Sequence, residues 1–222
     1  MSGSDHQENK PRALIADDQA VVAAGIRKLI EPECEVVGIV DDGRTLLVEA
    51  EKLRPDLIIM EITLLLLNGV DAAPHLTKAI PGSKIIFLTG QTSSAYVAAA
   101  FKAGASAYVL KRSPPSELSQ AIQAVRKGQC YLTPLITKDV LANGENGSKL
   151  EAGRATVASL TPRQREVLQL IAEGRGTKEV ATLLSIAVKT VEFHKFRIMD
   201  QLNLHSTVAL AKRAIAEGLV GP

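Results

Sequence analysis

Short apolar runs alternate with segments of helical periodicity five times in the first 130 residues of this 222-residue chain. The clearest run is Leu57 to Met60, which follows Pro55 and predicts a strand buried on both faces. The other predicted strands are 12–16, 35–40, 84–89 and 107–110, and the predicted helices are 20–30, 44–53, 70–79, 94–103 and 115–127. Five alternations predict a parallel sheet covered by helices on both faces and joined by right-handed crossovers.

Polar residues follow four of these predicted strands. Asp17 and Asp18 follow the first, Glu61 the third, Thr89 the fourth and Lys111 the fifth. The carboxyl ends of parallel strands meet at one edge of a sheet, so we expect these side chains in one crevice. Clustered carboxylates favour a hard cation such as Mg²⁺, and a hydroxyl and an ammonium suit a phosphoryl group. Taken singly, a strand-end aspartate is often only a helix cap.

The second half predicts four helices. Thr161 is a candidate N-cap with Pro162 in the first helical position, and Thr177 is a candidate cap for the next helix. The later helices are predicted at 178–184, 188–202 and 206–217, the first two joined by a three-residue turn. This arrangement predicts a helix-turn-helix DNA-binding unit, and the alternative is a four-helix bundle with a basic solvated face. The net charge of +3 from Leu160 onward, against −1 before it, weakly favours a polyanionic partner.

Composition divides the chain and limits its location. We expect a disordered terminus at 1–10, a first domain at 11–130 and a second domain at 160–222. Between the domains, residues 131–159 are expected to form a helix at 132–142 and then a flexible linker, because 143–148 is rich in turn-forming residues. No apolar run approaches the ~20 residues of a membrane span, and no signal segment is present, so we expect a cytoplasmic protein without membrane contact. Cys34 and Cys130 are expected to be free thiols.

The first half resembles the receiver domains of two-component response regulators over about 12–129. The residues that carry this resemblance are the acidic pair Asp17-Asp18, the Asn68-Gly69 turn, Thr89 and Lys111. The resemblance implies a flavodoxin-like fold with strand order 2-1-3-4-5, and a sensor histidine kinase as partner. It also implies functional positions: a Mg²⁺ site formed by Asp17, Asp18, Glu61 and the carbonyl of Thr63, and switch residues Thr89, Tyr108 and Lys111.

The chain departs from that family at its central position. Glu61 stands where the phosphoacceptor aspartate is expected, and Leu64-Leu65 replaces the usual Met-Pro pair. One extra methylene moves the carboxylate by up to about 1.5 Å, and a misplacement of about 1 Å can cost on the order of 100-fold in rate. We therefore expect no ordinary phosphorylation. Either Glu61 partly imitates the phosphorylated state, with one negative charge instead of roughly two, or the site is retired and the fold serves dimerisation and regulation.

The run of four leucines from Leu64 to Leu67 also has two interpretations. It could form a loop folded onto the third helix, which we favour, or an exposed apolar patch used for contact.

The second half is similar to LuxR-type (NarL/FixJ-like) DNA-binding domains. The matching segments are 160–168, 178–181 and 188–194, and the similarity covers nearly all of 159–220. It implies that 188–202 is the recognition helix and that 206–217 pairs two domains on a palindromic site. The implied DNA contacts are Lys178, Lys189, Thr190, Glu192, Phe193, His194, Lys195 and Arg197. Glu192, Phe193 and Phe196 are placed to touch base edges, although the two phenylalanines could instead pack on protein.

These features together predict a transcription regulator that binds double-stranded DNA as a homodimer. One alternative is a Mg²⁺-dependent enzyme such as a phosphatase, which the absence of a glycine-rich phosphate loop disfavours. The other is a protein-interaction module that has lost DNA binding.

Overall fold

The computed structural model describes residues 10–137 and 156–221, which form two domains. Of the predicted disordered terminus 1–10, residues 1–9 lie outside the described residues, as do residues 138–155 of the predicted helix and linker, which include the turn-rich segment 143–148. The first domain alternates strands and helices: β1 Arg12–Ala16, α1 Ala20–Ile30, β2 Glu35–Val40, α2 Gly43–Leu53, β3 Leu57–Met60, α3 Gly69–Ala79, β4 Lys84–Thr89, α4 Ser94–Lys102, β5 Ala105–Leu110, α5 Pro115–Arg126 and β6 Tyr131–Leu132.

The strands form one parallel sheet in the order β2-β1-β3-β4-β5-β6. The predicted 2-1-3-4-5 order is confirmed, and β6 extends it. Tyr131 and Leu132 pair with Ala107 and Tyr108 of β5, so Leu132 belongs to a strand and does not begin the predicted helix. A helical turn follows at 134–137, and its Ile136 is fully buried, so the first domain continues beyond residue 130.

Two apolar cores lie on opposite faces of this sheet. Side chains of α2, α3 and α4 pack on one face, and side chains of α1 and α5 pack on the other. The central strand β3 is buried along its whole length, as expected for a parallel sheet covered on both sides. The chain therefore delivers Glu61, the next residue, to the carboxyl edge of the sheet at its centre.

The second domain is a four-helix unit preceded by a 3₁₀ turn at Val157–Ser159. Its helices are α6 Pro162–Ala172, α7 Thr177–Leu183, α8 Val188–Leu202 and α9 Thr207–Ala216. Thr161 caps α6 as predicted, and Gln164 completes the capping box. The predicted capping role of Thr177 is wrong, because Gly176 is the N-cap and its N–H donates to the Glu179 carboxylate at 2.7 Å.

No helix among residues 10–137 and 156–221 combines the length and the apolar character required to cross a bilayer.

Candidate functional site

Glu61 lies at the centre of a compact polar cluster at the carboxyl edge of the sheet. The Glu61 cluster consists of Glu61, Asp17, Thr89 and Lys111. Oε1 of Glu61 accepts hydrogen bonds from the N–H of Ile62, at 2.7 Å, and from the hydroxyl of Thr89. Oε2 lies 2.8 Å from Nζ of Lys111, which also lies 2.6 Å from Oδ2 of Asp17. Glu61 is only 4% exposed, so both oxygens are satisfied by protein groups in a largely dry crevice.

The backbone after Glu61 turns sharply, and the Asn68-Gly69 pair explains how. The side chain of Asn68 caps α3 by accepting from the N–H of Val70 at 2.9 Å. A Cβ on Gly69 would lie 2.4 Å from the carbonyl oxygen of Glu61. Only glycine therefore allows α3 to begin this close to the end of β3.

The structure does not assemble the predicted magnesium site. Within the two described ranges, no group of three or more His, Cys, Asp or Glu side chains is placed to hold a metal ion. The ammonium of Lys111 bridges Asp17 and Glu61 and balances their charge, Asp18 is exposed, and Thr63 is half-buried. The residues as arranged do not fit the ion, because the cationic position between the carboxylates is taken by Lys111.

The charges of the cluster shift two pKa values. Burial lowers the pKa of Lys111, but the carboxylates of Glu61 and Asp17 outweigh this effect and leave the pKa above its ordinary value. Although Asp18 as a whole residue is exposed, partial burial of its carboxyl group, followed by repulsion from Asp17, raises its pKa. Lys111 therefore stays protonated at neutral pH and remains an effective partner for Glu61.

The predicted switch residues form a continuous hydrogen-bonded chain from Glu61. The hydroxyl of Thr89 donates to Glu61 and accepts from the N–H of Gln91 at 3.2 Å. The hydroxyl of Tyr108 donates to the carbonyl of Gln91 at 3.0 Å, and its ring is fully buried beside Phe87, with ring centroids 6.4 Å apart. Burial raises the pKa of the Tyr108 phenol. Thr89 and Tyr108 are thus held together through Gln91.

The leucine run after Glu61 forms part of a domain interface, which neither sequence interpretation anticipated in full. Leu64 and Leu67 are buried in the first domain, whereas Leu66 packs against the core of the second domain. Leu66 has a positive φ of 62°, an uncommon conformation for a leucine. A Cβ on Gly43 would lie 1.9 Å from the carbonyl oxygen of Leu67, so α2 holds the loop closely from one side.

Gln169 of α6 holds the same loop from the other side. Its side-chain oxygen accepts from the N–H of Asn68 at 2.8 Å, and its side-chain nitrogen donates to the carbonyl of Leu64 at 2.8 Å. Glu173, one turn later, accepts from the N–H of Leu66 at 3.0 Å. Burial raises the pKa of Glu173, partly offset by a hydrogen bond from Gln169. The side chains of Gln169 in α6 and of Glu173, the C-cap of α6, therefore satisfy three backbone groups of the loop.

Ion pairs and a tyrosine extend this interface. Arg165 donates through Nε to both carboxylate oxygens of Asp71 at 3.0 Å. Nη2 of Arg44 lies 3.5 Å from the carboxylate of Glu166. The Tyr96 hydroxyl donates to the carbonyl of Glu217. The interface consequently spans α2, α3 and α4 of the first domain.

The outer arc of α8 remains open to solvent despite this docking. Lys189, Glu192, Phe193 and Arg197 are exposed, as is Lys178 at the start of α7. At about 3.6 residues per turn, Lys189, Phe193 and Phe196 share one face of the helix. The opposite face carries Val191, Ile198 and Leu202 into the core.

Three predicted DNA contacts lie nearer the body of the domain. Thr190, His194 and Lys195 are half-buried. They flank the open face of α8.

Helix α9 also exposes apolar side chains. Val208 is 64% exposed and Ile215 is 41% exposed. They lie seven residues apart and so on the same face of the helix. This face supports the predicted role of α9 in pairing two domains.

Family models match both domains. Residues 13–123 match the response regulator receiver domain, and residues 158–214 match the bacterial regulatory proteins of the luxR family. The chain is 31% identical over 227 residues to the transcriptional regulatory protein DegU of Brevibacillus brevis, covering 96% of each chain. It is 32% identical over 214 residues to the oxygen regulatory protein NreC of Staphylococcus carnosus, covering 94% of this chain and 99% of the relative.

Solved structures of response regulators are also similar to this chain. The response regulator RcsB of Salmonella typhimurium superposes with a TM-score of 0.65 at 28% identity, covering 92% of this chain and 96% of that chain. RcsB of Salmonella enterica serovar Typhimurium, bound to a promoter in the presence of the phosphomimetic BeF₃⁻, superposes with a TM-score of 0.59 at 28% identity, covering 92% of this chain and 98% of that chain. The likeness therefore extends across both domains.

Proposed function

The chain belongs to the LuxR-type family of DNA-binding response regulators, and we propose that the carboxylate of Glu61 takes the place of phosphorylation in its receiver domain. The family matches make it a transcription regulator and not an enzyme. Under this proposal the receiver domain is held, without a phosphodonor, in the state that phosphorylation would otherwise produce. A sensor histidine kinase, if one contacts the chain, transfers no phosphoryl group to residue 61.

The observation that carries this proposal is the set of partners around Glu61. Its two oxygens engage the Thr89 hydroxyl, the Lys111 ammonium and the N–H of Ile62. These are a hydroxyl, a cation and a backbone donor, the groups that would bind phosphoryl oxygens. The extra methylene allows the carboxylate to reach them directly.

The alternative of a retired site receives less support. In a retired site, nothing requires Thr89 and Lys111 to converge on the acid. Here Thr89 is also connected through Gln91 to the buried Tyr108. Glu61 thus keeps the switch residues engaged, which favours imitation over loss of function.

We further propose that the chain acts in the cytoplasm as a homodimer on double-stranded DNA, with α8 reading the major groove. The exposed outer arc of α8 and the apolar face of α9 support this assignment. RcsB provides a related case, since structures describe its dimers bound to DNA.

The test compares the natural chain with Glu61→Asp and Glu61→Gln. After incubation with a small phosphodonor and Mg²⁺, intact mass spectrometry should show no adduct on the natural chain and a phosphoryl adduct on Glu61→Asp. Without phosphodonor, the natural chain should bind its DNA more tightly than either variant, because Asp is too short and Gln lacks the charge that Lys111 requires. Phosphodonor should then restore the affinity of Glu61→Asp alone.

Two results would overturn the proposal. A phospho-adduct mapped to Glu61 would show that the longer acid still accepts phosphate. Equal DNA affinity of the natural chain and Glu61→Gln would show that the charge has no switching role, as in a retired site.

A further inference from the structure

Two phenylalanines are exposed at the centre of the outer arc of α8. Phe193 is 59% exposed and Phe196 is 68% exposed, in a chain with only four phenylalanines. Leaving a large aromatic side chain in water forgoes the free energy that its burial would contribute. Because residues 10–137 and 156–221 leave most of each ring in solvent, the two rings are positioned to contact a binding partner.

The position of these rings suits neighbouring base pairs. Residues 193 and 196 are three apart in a helix that rises about 1.5 Å per residue, so their Cα atoms are separated by roughly 4.5 Å along the axis. That separation is close to the roughly 3.4 Å step between base pairs.

Phe193 has an aromatic and a cationic neighbour on the same helix. The Arg197 guanidinium carbon lies 6.0 Å from the ring centroid, and the His194 ring meets it edge-on at 5.9 Å. Two side chains of the same helix therefore lie beside the ring while most of it stays open to a ligand.

The chemistry of a phenyl ring selects one feature of the major groove. A phenyl ring has no hydrogen-bonding group and so gains nothing from the donors and acceptors of base edges. The one apolar group that standard bases present there is the C5-methyl of thymine. Glu192, adjacent on the helix, is an acceptor suited to the N4 amino group of cytosine.

We propose that Phe193 and Phe196 are specificity-determining residues that read the methyl groups of two nearby thymines in each half-site, next to a cytosine read by Glu192. This inference rests on the assignment of α8 as the DNA-reading helix. It does not depend on how Glu61 acts.

The test begins by selecting binding sites for the full-length chain from a random DNA duplex pool. We expect thymine at two nearby positions of each half-site. Replacing these thymines by deoxyuridine removes only the methyl groups and should weaken binding roughly fourfold per methyl. Deoxyuridine placed outside the half-sites is the matched control and should leave affinity unchanged.

Variants then connect the methyl groups to the two rings. Phe193→Ala and Phe196→Ala should each reduce the preference for thymine over deoxyuridine at one position. Glu192→Gln should change the preference for cytosine and leave the thymine-to-deoxyuridine ratio as it was.

The experiment distinguishes failure of the thymine-reading proposal from failure of the DNA-reading assignment of α8. Equal binding of thymine and deoxyuridine sites by the natural chain, or an unchanged ratio in both phenylalanine variants, would overturn the proposal. Loss of self-association in those variants, with unchanged base preference, would assign the rings to a protein contact instead. Failure to select or bind any duplex would reject the DNA-reading assignment itself.

Discussion

Removal of the Gln169 side chain should separate the two domains. This residue is 1% exposed, and its amide satisfies the N–H of Asn68 and the carbonyl of Leu64. Gln169→Ala would leave both backbone groups without a partner as long as the domains stay docked. Each such buried group costs about 1–3 kcal/mol.

The expected loss of docking free energy follows from these two groups. Water solvates both when the interface opens, so the two penalties fall on the docked state alone. Taking a value toward the lower end of their sum, roughly 3 kcal/mol, the docking equilibrium constant should fall by roughly 100-fold. The Asp71–Arg165 pair and the Leu66 contact remain, and they set the residual docking.

Calorimetry and an interdomain distance measure this effect. Docked domains unfold together, so the natural chain should give one cooperative transition and Gln169→Ala two. Fluorescence energy transfer between a dye on exposed Cys130 and one on Lys212→Cys should fall in the same variant. Gln123→Ala, which removes an exposed glutamine from α5, is the control. A single transition and unchanged transfer in Gln169→Ala would refute the role of this side chain.

Three other expectations follow from individual side chains. Lys189→Ala, on the open face of α8, should weaken binding to all duplexes and lower the slope of log affinity against log salt by about one; an unchanged slope would remove Lys189 from the phosphate contacts. Burial raises the pKa of Cys34 to about 11, so at neutral pH a thiol reagent should add once, to exposed Cys130, as read by mass spectrometry. Burial also raises the pKa of Glu173, so docking of the domains favours the protonated form of this carboxyl group. Docking, and with it the energy transfer between the two dyes, should therefore increase as pH falls from 7 toward 4.5. Glu173→Gln should reduce this pH dependence.

The sequence predicted the architecture because each domain follows a local pattern. Strand runs, helical periodicity and the cap at Thr161 depend on neighbouring residues, and the structure reproduces them. Strand β6 was missed because two residues, Tyr131 and Leu132, give no periodicity. Their strand character comes from pairing with β5, which lies more than 20 residues earlier in the chain.

The sequence predicted which residues form the site but not how their side chains contact one another. The positions of Asp17, Glu61, Thr89 and Lys111 after the strands identified the crevice. Whether a metal or the lysine occupies the space between the acids depends on side-chain geometry, and here Lys111 takes it.

The domain interface was missed because it joins residues far apart in sequence. Gln169 and Asn68 are separated by 101 positions. One local signal existed in the sequence, since four of the five residues from Val167 to Ile171 are apolar. In the structure all five are buried, including the polar Gln169. An amphipathic surface helix leaves a polar face in solvent, so an almost continuous buried run in α6 indicates contacts on two sides.

The placement of this interface restricts how the receiver can influence DNA. The loop that follows Glu61 docks on α6, whereas α8 keeps its outer arc free. If α8 is the recognition helix, as proposed, the docked receiver domain in this arrangement does not control it by covering it. What the docked loop does fix is the orientation of the second domain, and with it the direction in which α9 presents Val208 and Ile215. Under the proposed role of Glu61, control would act on how two second domains pair, so we expect its effect in binding at paired half-sites and not in the affinity of one domain for one half-site.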